Sequence, residues 1–91
     1  MPSYLVETYL PRARAEERGS RERQARSVAE DLTTERAHVR FVRSIHIPED
    51  ELCFFVFDAR SADDVALAAQ RAGLDPIRVV EAVSSLSLIH I

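Results

Sequence analysis

The sequence predicts one small α+β domain with the element order β-α-β-β-α-β, and three observations predict it. Four short windows, Ser3–Leu10, Val39–Ile47, Leu52–Phe57 and Ile77–Val83, have the length and apolar content of strands. Two stretches between them repeat apolar residues at helical spacing: Ala25, Val28, Ala29 and Leu32, then Val65, Ala68, Ala69 and Ala72. The run Glu51-Leu52-Cys53-Phe54-Phe55-Val56-Phe57 is oily on both sides. A strand with one wet face alternates apolar and polar residues, so both faces of its sheet must be covered.

In the first strand Tyr4, Val6 and Leu10 share one face and Leu5, Glu7 and Tyr9 the other. Pro11 ends it, because proline offers no ladder donor. The charged stretch from Arg12 to Glu35 follows, and its second half carries the first helical stripe. In its first half, Gly19 costs about 1 kcal/mol relative to alanine in a helix, and Arg18, Arg21 and Glu22 interrupt the stripe. That end is expected to fray or project into solvent. The second and third strands form a hairpin whose turn is Pro48-Glu49-Asp50-Glu51. Ser61 is placed to cap the second helix, with Asp63 and Asp64 complementing its dipole. Gly73 followed by Leu74 reads as a Schellman stop, Pro76 bars continuation, and the fourth strand follows. This order is the split βαβ arrangement of ferredoxin-like domains, an antiparallel sheet with both helices on one face.

A length of 91 residues is near the lower end of what buries a self-sufficient core. On the third strand, Cys53, Phe55 and Phe57 alternate with Leu52, Phe54 and Val56, so one set faces the helices and the other faces outward. Large side chains are each worth about 1.5–3 kcal/mol when buried, and monomers rarely expose such a patch. The expectation is a homodimer closed through the open sheet face, giving a dimeric α/β-barrel-like arrangement.

The net charge of −3 does not advertise nucleic acid or an anionic membrane as a partner. All 12 basic residues are arginine, as in a GC-rich bacterial coding sequence. The aromatic run superficially echoes RNA-recognition domains, but Glu51-Leu52 stands where their motif has a basic residue and glycine. The single cysteine excludes an internal disulfide and fits a reducing cytoplasm. No export signal or membrane-length apolar run is evident. The domain is expected over residues 1–85. Leu86-Ser87-Leu88-Ile89-His90-Ile91 resembles the translation of a transposon end used in DNA-library preparation and is set aside.

With Glu49 and Asp50 at the hairpin tip, Ile47 pairs with Leu52, Ser44 with Phe55, and His46 with Cys53. Directly opposed residues share a face, with Cβ atoms about 4.5–5.5 Å apart. Imidazole and thiolate together suit nickel, zinc or copper. Completion would take carboxylates such as Glu7 or Glu81, water, or groups from a second subunit. The face with Ile45, Ile47, Leu52, Phe54 and Val56 is the more apolar and is expected against the helices, with Arg43 as its misfit. His38 reads as a solvated loop residue, Ser44 lacks a readable relay, and the arginines of the first helix alternate with acids as a salt-laced outer face.

The residues Arg43-Ser44, Pro48-Glu49-Asp50-Glu51, Cys53-Phe54, Phe57-Asp58-Ala59, Ser61-Ala62, Val65, Ala72-Gly73-Leu74 and Arg78-Val79-Val80-Glu81-Ala82-Val83 resemble those of a small bacterial family. The opening Tyr4-Leu5-Val6-Glu7 and Leu10-Pro11 resemble it too. Its members, long filed as a domain of unknown function, are often labelled nickel-binding proteins. The resemblance implies a ferredoxin-like fold, a dimer and nickel binding, and Cys53 falls where many members carry a cysteine. Several relatives place a histidine in the second helix, where this chain has Ala68-Ala69-Gln70-Arg71. The leading expectation is thus a cytoplasmic homodimer binding nickel, or another divalent transition metal such as zinc, through His46 and Cys53, with Glu7 or Glu81 assisting. Two alternatives are a small α/β-barrel enzyme or small-molecule binder, with His46 as acid–base and Arg43 as anion anchor, and a structural dimerisation module.

Overall fold

The computed structural model describes residues 1–83, so the expected tail from Leu86 lies outside the described residues. The elements are β1 (Ser3–Tyr9), α1 (Arg18–Thr34), β2 (Val39–Ile47), β3 (Leu52–Ala59), α2 (Ala62–Arg71) and β4 (Arg78–Ala82). The strands form one antiparallel sheet in the order β2-β3-β1-β4, and the fold is the expected ferredoxin-like α+β. No helix among the described residues is long and apolar enough to cross a membrane.

The second helix starts and stops by chemistry visible in the sequence. Ser61 Oγ accepts from the Asp64 N–H at 3.2 Å and caps α2. At its other end Gly73 adopts φ +69°, with Gly73 N–H donating to Gln70 and Leu74 N–H to Ala69, the two bonds of a Schellman motif. The same pair closes α1, from Arg36 to Thr33 and from Ala37 to Leu32, but there the left-handed residue is Arg36 at φ 76°.

The stretch expected to fray or project into solvent is helical, with no buried residue before Ala25. A 3-10 segment spans Arg12–Glu17, and α1 is helical from Arg18 onward. Gly19 falls in the first turn, outside the helix interior where glycine costs most. Arg12 stitches this entry to the hairpin tip: its N–H donates to Glu51 Oε2 at 2.8 Å, and its guanidinium reaches the Pro48 and Glu49 carbonyls. Leu10 N–H adds a 2.8 Å bond to the Glu51 carbonyl.

The helices cover the face that carries Tyr4, Val6 and Thr8 on β1 and Cys53, Phe55 and Phe57 on β3. This reverses the expected assignment of faces. Leu52 and Phe54 are only partly buried, and Ile45 is 41% exposed, on the open side. The reason is a bulge in β2 between Phe41 and Arg43. The extra residue changes the alternation, so Phe41 pairs with Phe57 and joins it in the core, with ring centroids 5.5 Å apart and edge to face. Volume decides the rest, since Phe41, Phe55 and Phe57 fill the layer beneath α1 and α2 better than Ile45 and Leu52 could. Beyond the bulge the expected hairpin register holds: Ser44–Phe55, His46–Cys53 and Ile47–Leu52.

The open face presents Leu5, Tyr9, Ile45, Leu52, Phe54 and Val80 together with two ion pairs. Asp58 accepts from Ser3 Oγ at 2.7 Å and from Arg40 at 2.6 Å, while Arg78 holds Glu7 at 2.6 Å. Those two partners keep the Asp58 carboxyl below its usual pKa, Arg40 contributing more than Ser3.

Candidate metal centre

Thr8, Cys53 and His46 form one row across β1, β3 and β2, because Cys53 is the direct partner of both others. The row lies on the helix-covered face, near the end of the sheet that carries the β2–β3 turn. Thr8 is fully buried, and its hydroxyl donates to the Cys53 carbonyl at 2.7 Å, which satisfies backbone and leaves the thiol untouched. The Cys53 side chain has no exposure, and burial pushes its thiol pKa up. Arg18 and Arg21 oppose that rise and Glu22 adds to it.

His46 closes the row on the edge-strand side. Its Nε2 is shielded from solvent and has no hydrogen-bond partner among the described residues. A neutral imidazole keeps one nitrogen as a lone-pair donor to metals, and a buried polar atom left unpaired costs about 1–3 kcal/mol. The row therefore places a thiol directly opposite an imidazole that has an unused nitrogen.

The N-terminal half of α1 supplies the charged neighbours. Glu22 Oε2 accepts from Ser44 Oγ at 2.7 Å, and its other oxygen lies 3.6 Å from Arg18. Arg21 donates to the Tyr9 carbonyl at 3.3 Å and meets Glu17 at 3.4 Å. Thr8 lies in the row and Glu22 beside it, and two sequence signals point to them. Thr8 is the polar residue in phase with Tyr4, Val6 and Leu10. Glu22 extends the stripe backward, three residues before Ala25, and so continues it where the sequence analysis places a break.

The two expected carboxylates are not brought to this row. Glu7 pairs with Phe54 in the β1–β3 register, on the opposite face of the sheet, and is held by Arg78. Glu81 is exposed on β4 opposite Tyr4, about 13 Å further along the strand direction. Among the described residues no group of three or more His, Cys, Asp or Glu side chains stands close enough to hold an ion. Within one chain, then, His46 and Cys53 are together and Glu7 and Glu81 are apart from them. The alternative pairing of His46 with Arg43 is also undone, since Arg43 opposes Val56 on the open face and His46 opposes Cys53 on the covered one.

His38 is exposed where β2 begins, and its carbonyl accepts from Arg60 N–H at 3.2 Å. It lines a groove of about 410 Å³ with Ala29, Glu30, Thr33 and Val39, outside the row.

No protein-family model matches this sequence, and no curated protein matches it. The crystal structure of SCO4226 from Streptomyces coelicolor A3(2) superposes on the chain with a TM-score of 0.75 at 15% identity. The match covers 91% of this chain and 98% of that one. At that identity, the likeness establishes a shared fold.

Proposed function

We propose that this chain is a homodimeric protein that binds a divalent transition metal, nickel first, through His46 and Cys53. The observation that carries the reading is the unpartnered His46 Nε2 in the same sheet row as the buried thiol. Imidazole nitrogen and thiolate sulfur are the borderline-soft donors that nickel and zinc prefer over water oxygen. A bound divalent ion would supply the positive charge that a thiolate needs in this apolar setting. Cys53 would give up its proton on binding, and His46 would offer its unpartnered Nε2. A ligand of this kind calls for a reducing, cytoplasmic setting.

The fit is that of a pair, which fills two positions of the four or more that such ions take. Glu7 and Glu81 stand elsewhere on the sheet, so the remaining positions fall to other groups or water.

The dimer reading rests on the open face, where Leu5, Tyr9, Ile45, Leu52 and Phe54 gather beside Glu7 and Arg43 and which a second copy would cover. Because that surface and the His46–Cys53 row are on opposite sides of one sheet, subunit pairing and metal binding are separable events.

Isothermal titration with nickel, on the parent chain and on His46→Ala and Cys53→Ala, tests the metal reading. Saturable binding lost in both variants is expected. Absence of heat with nickel, zinc, cobalt or copper would retire it. Sedimentation tests the dimer independently: a single subunit at high protein concentration would remove it.

A further inference from the structure

We propose that a second copy docks on the open face in one register, with Arg43 of each subunit paired to Glu7 of the partner subunit. This rests on the homodimer reading above and adds to it the two residues that set its geometry.

The other charges of that face are satisfied within one chain. Asp58 uses Oδ1 for Ser3 and Oδ2 for Arg40. Glu7 gives Oε1 to Arg78, and its Oε2 has no bond among the described residues. Arg43, opposite Val56 on the same face, is exposed and has no ion-pair partner among the described residues. The face thus carries an unpaired cation and a carboxylate with an unused oxygen.

Closing the face makes that pair necessary. The Glu7 side chain is already only 14% exposed, and a second copy would strip the remaining water from it and from Arg43. A charge buried without a partner is heavily penalised. Within one chain Arg43 on β2 and Glu7 on β1 stand two strand spacings apart, about 9.6 Å, with β3 between them. Across a two-fold interface each finds the other, and the contact occurs twice. The carboxylate has lone pairs enough to keep Arg78 on one oxygen and accept Arg43 on the other.

Symmetry then fixes the register. When one residue contacts another and the converse also holds, the two-fold axis passes midway between their positions. Midway between Arg43 and Glu7 lies β3, between Val56, the partner of Arg43, and Phe54, the partner of Glu7. Phe54 and Val56 of both copies therefore meet at the axis, flanked by two ion pairs, an apolar centre with a polar rim.

The test uses the full chain without added metal, followed by sedimentation equilibrium. Arg43→Glu sets like charges against each other twice per dimer and should weaken self-association at least about a hundredfold. Glu7→Arg should do the same. Mixed in equal amounts, the two variants should pair with each other, because both contacts in the mixed dimer again join opposite charges. Native mass spectrometry identifies that species by its mass. Arg43→Glu combined with Glu7→Gln removes the repulsion and should recover part of the loss. That double variant carries the test if Glu7→Arg, which also gives up its bond to Arg78, does not fold by circular dichroism. Self-association of Arg43→Glu as tight as the parent's would overturn this proposal and leave the homodimer standing. Failure of the two folded variants to pair on mixing would also overturn it. A parent chain that stays single at high concentration removes both and leaves the face to a different partner.

Discussion

Phe54 and Phe55 are adjacent in sequence and belong to different environments: Phe55 is wholly buried beneath the helices, and Phe54 lies partly exposed on the open face opposite Ile45. Phe55 contacts Phe41 with ring centroids 6.2 Å apart and is among the largest fully buried side chains. Phe55→Ala should therefore cost about 3–5 kcal/mol in a urea titration, the usual penalty for emptying an aromatic site. Phe54→Asp should leave the urea midpoint far less affected and instead shift sedimentation toward the single subunit. Its nickel isotherm should match the parent's, because the His46–Cys53 row is on the other face. A Phe54→Asp protein that sediments like the parent would argue against pairing through this surface.

Cys53 should be chemically quiet. With no solvent exposure and a thiol pKa raised by burial, it offers iodoacetamide neither access nor thiolate at neutral pH. Labelling must wait for an opening event, and one costing about 4 kcal/mol slows it roughly a thousandfold relative to the urea-unfolded chain. Native labelling at the unfolded rate would mean that this end of the sheet opens readily.

Asp58 sets an acid-sensitive component of stability. Its folded pKa lies below its unfolded value because Arg40 and Ser3 bond the carboxylate. The contribution is complete above the unfolded value of about 3.9 and fades as pH falls through the lower, folded one. Asp58→Asn removes it. The stability difference between parent and variant, no more than about 1 kcal/mol for a partly exposed pair, should be present at pH 7 and shrink at pH 3. A difference that stays constant across that range would place the effect outside titration.

Both helix stops should favour glycine. Arg36 holds φ 76° with a side chain that disfavours it, and Arg36→Gly should raise stability by about 0.5–1 kcal/mol. Gly73 holds φ +69° with open space where a Cβ would stand, so Gly73→Ala should cost about 1 kcal/mol through backbone strain alone. Thermal denaturation of the two variants gives both signs in one experiment.

Element order, the Schellman stop of α2, the Ser61 cap and the hairpin register were legible because each depends on local chemistry: proline, glycine, a capping hydroxyl and turn length, whereas the stop of α1 falls on Arg36, which no pattern announces. The sidedness of the sheet was not. Alternation projects backward to put Phe41 with Arg43, Ile45 and Ile47, and the bulge at Val42 instead sets Phe41 on the face of Ser44, His46 and Cys53, so the large aromatics gather there. A bulge has no obligatory residue to announce it. The His46–Cys53 pairing followed from register alone, so it survived the reversal of faces. Glu7 and Glu81 stand apart from the row because their positions depend on sheet order and strand stagger, which short patterns do not encode. Glu22 was within reach of the sequence once the stripe of α1 is extended toward its start.

The bonds from Arg12 and Leu10 to the turn at Pro48–Glu51 have a dynamic consequence. Hairpin tips normally fray first, but here the tip is laced to the connection that leaves the first strand. Opening it would require several long-range bonds to part together. The proposed centre sits beside this laced end, so its geometry should persist through the small fluctuations that loosen exposed loops, and amide deuteration near residues 51–53 should be slow.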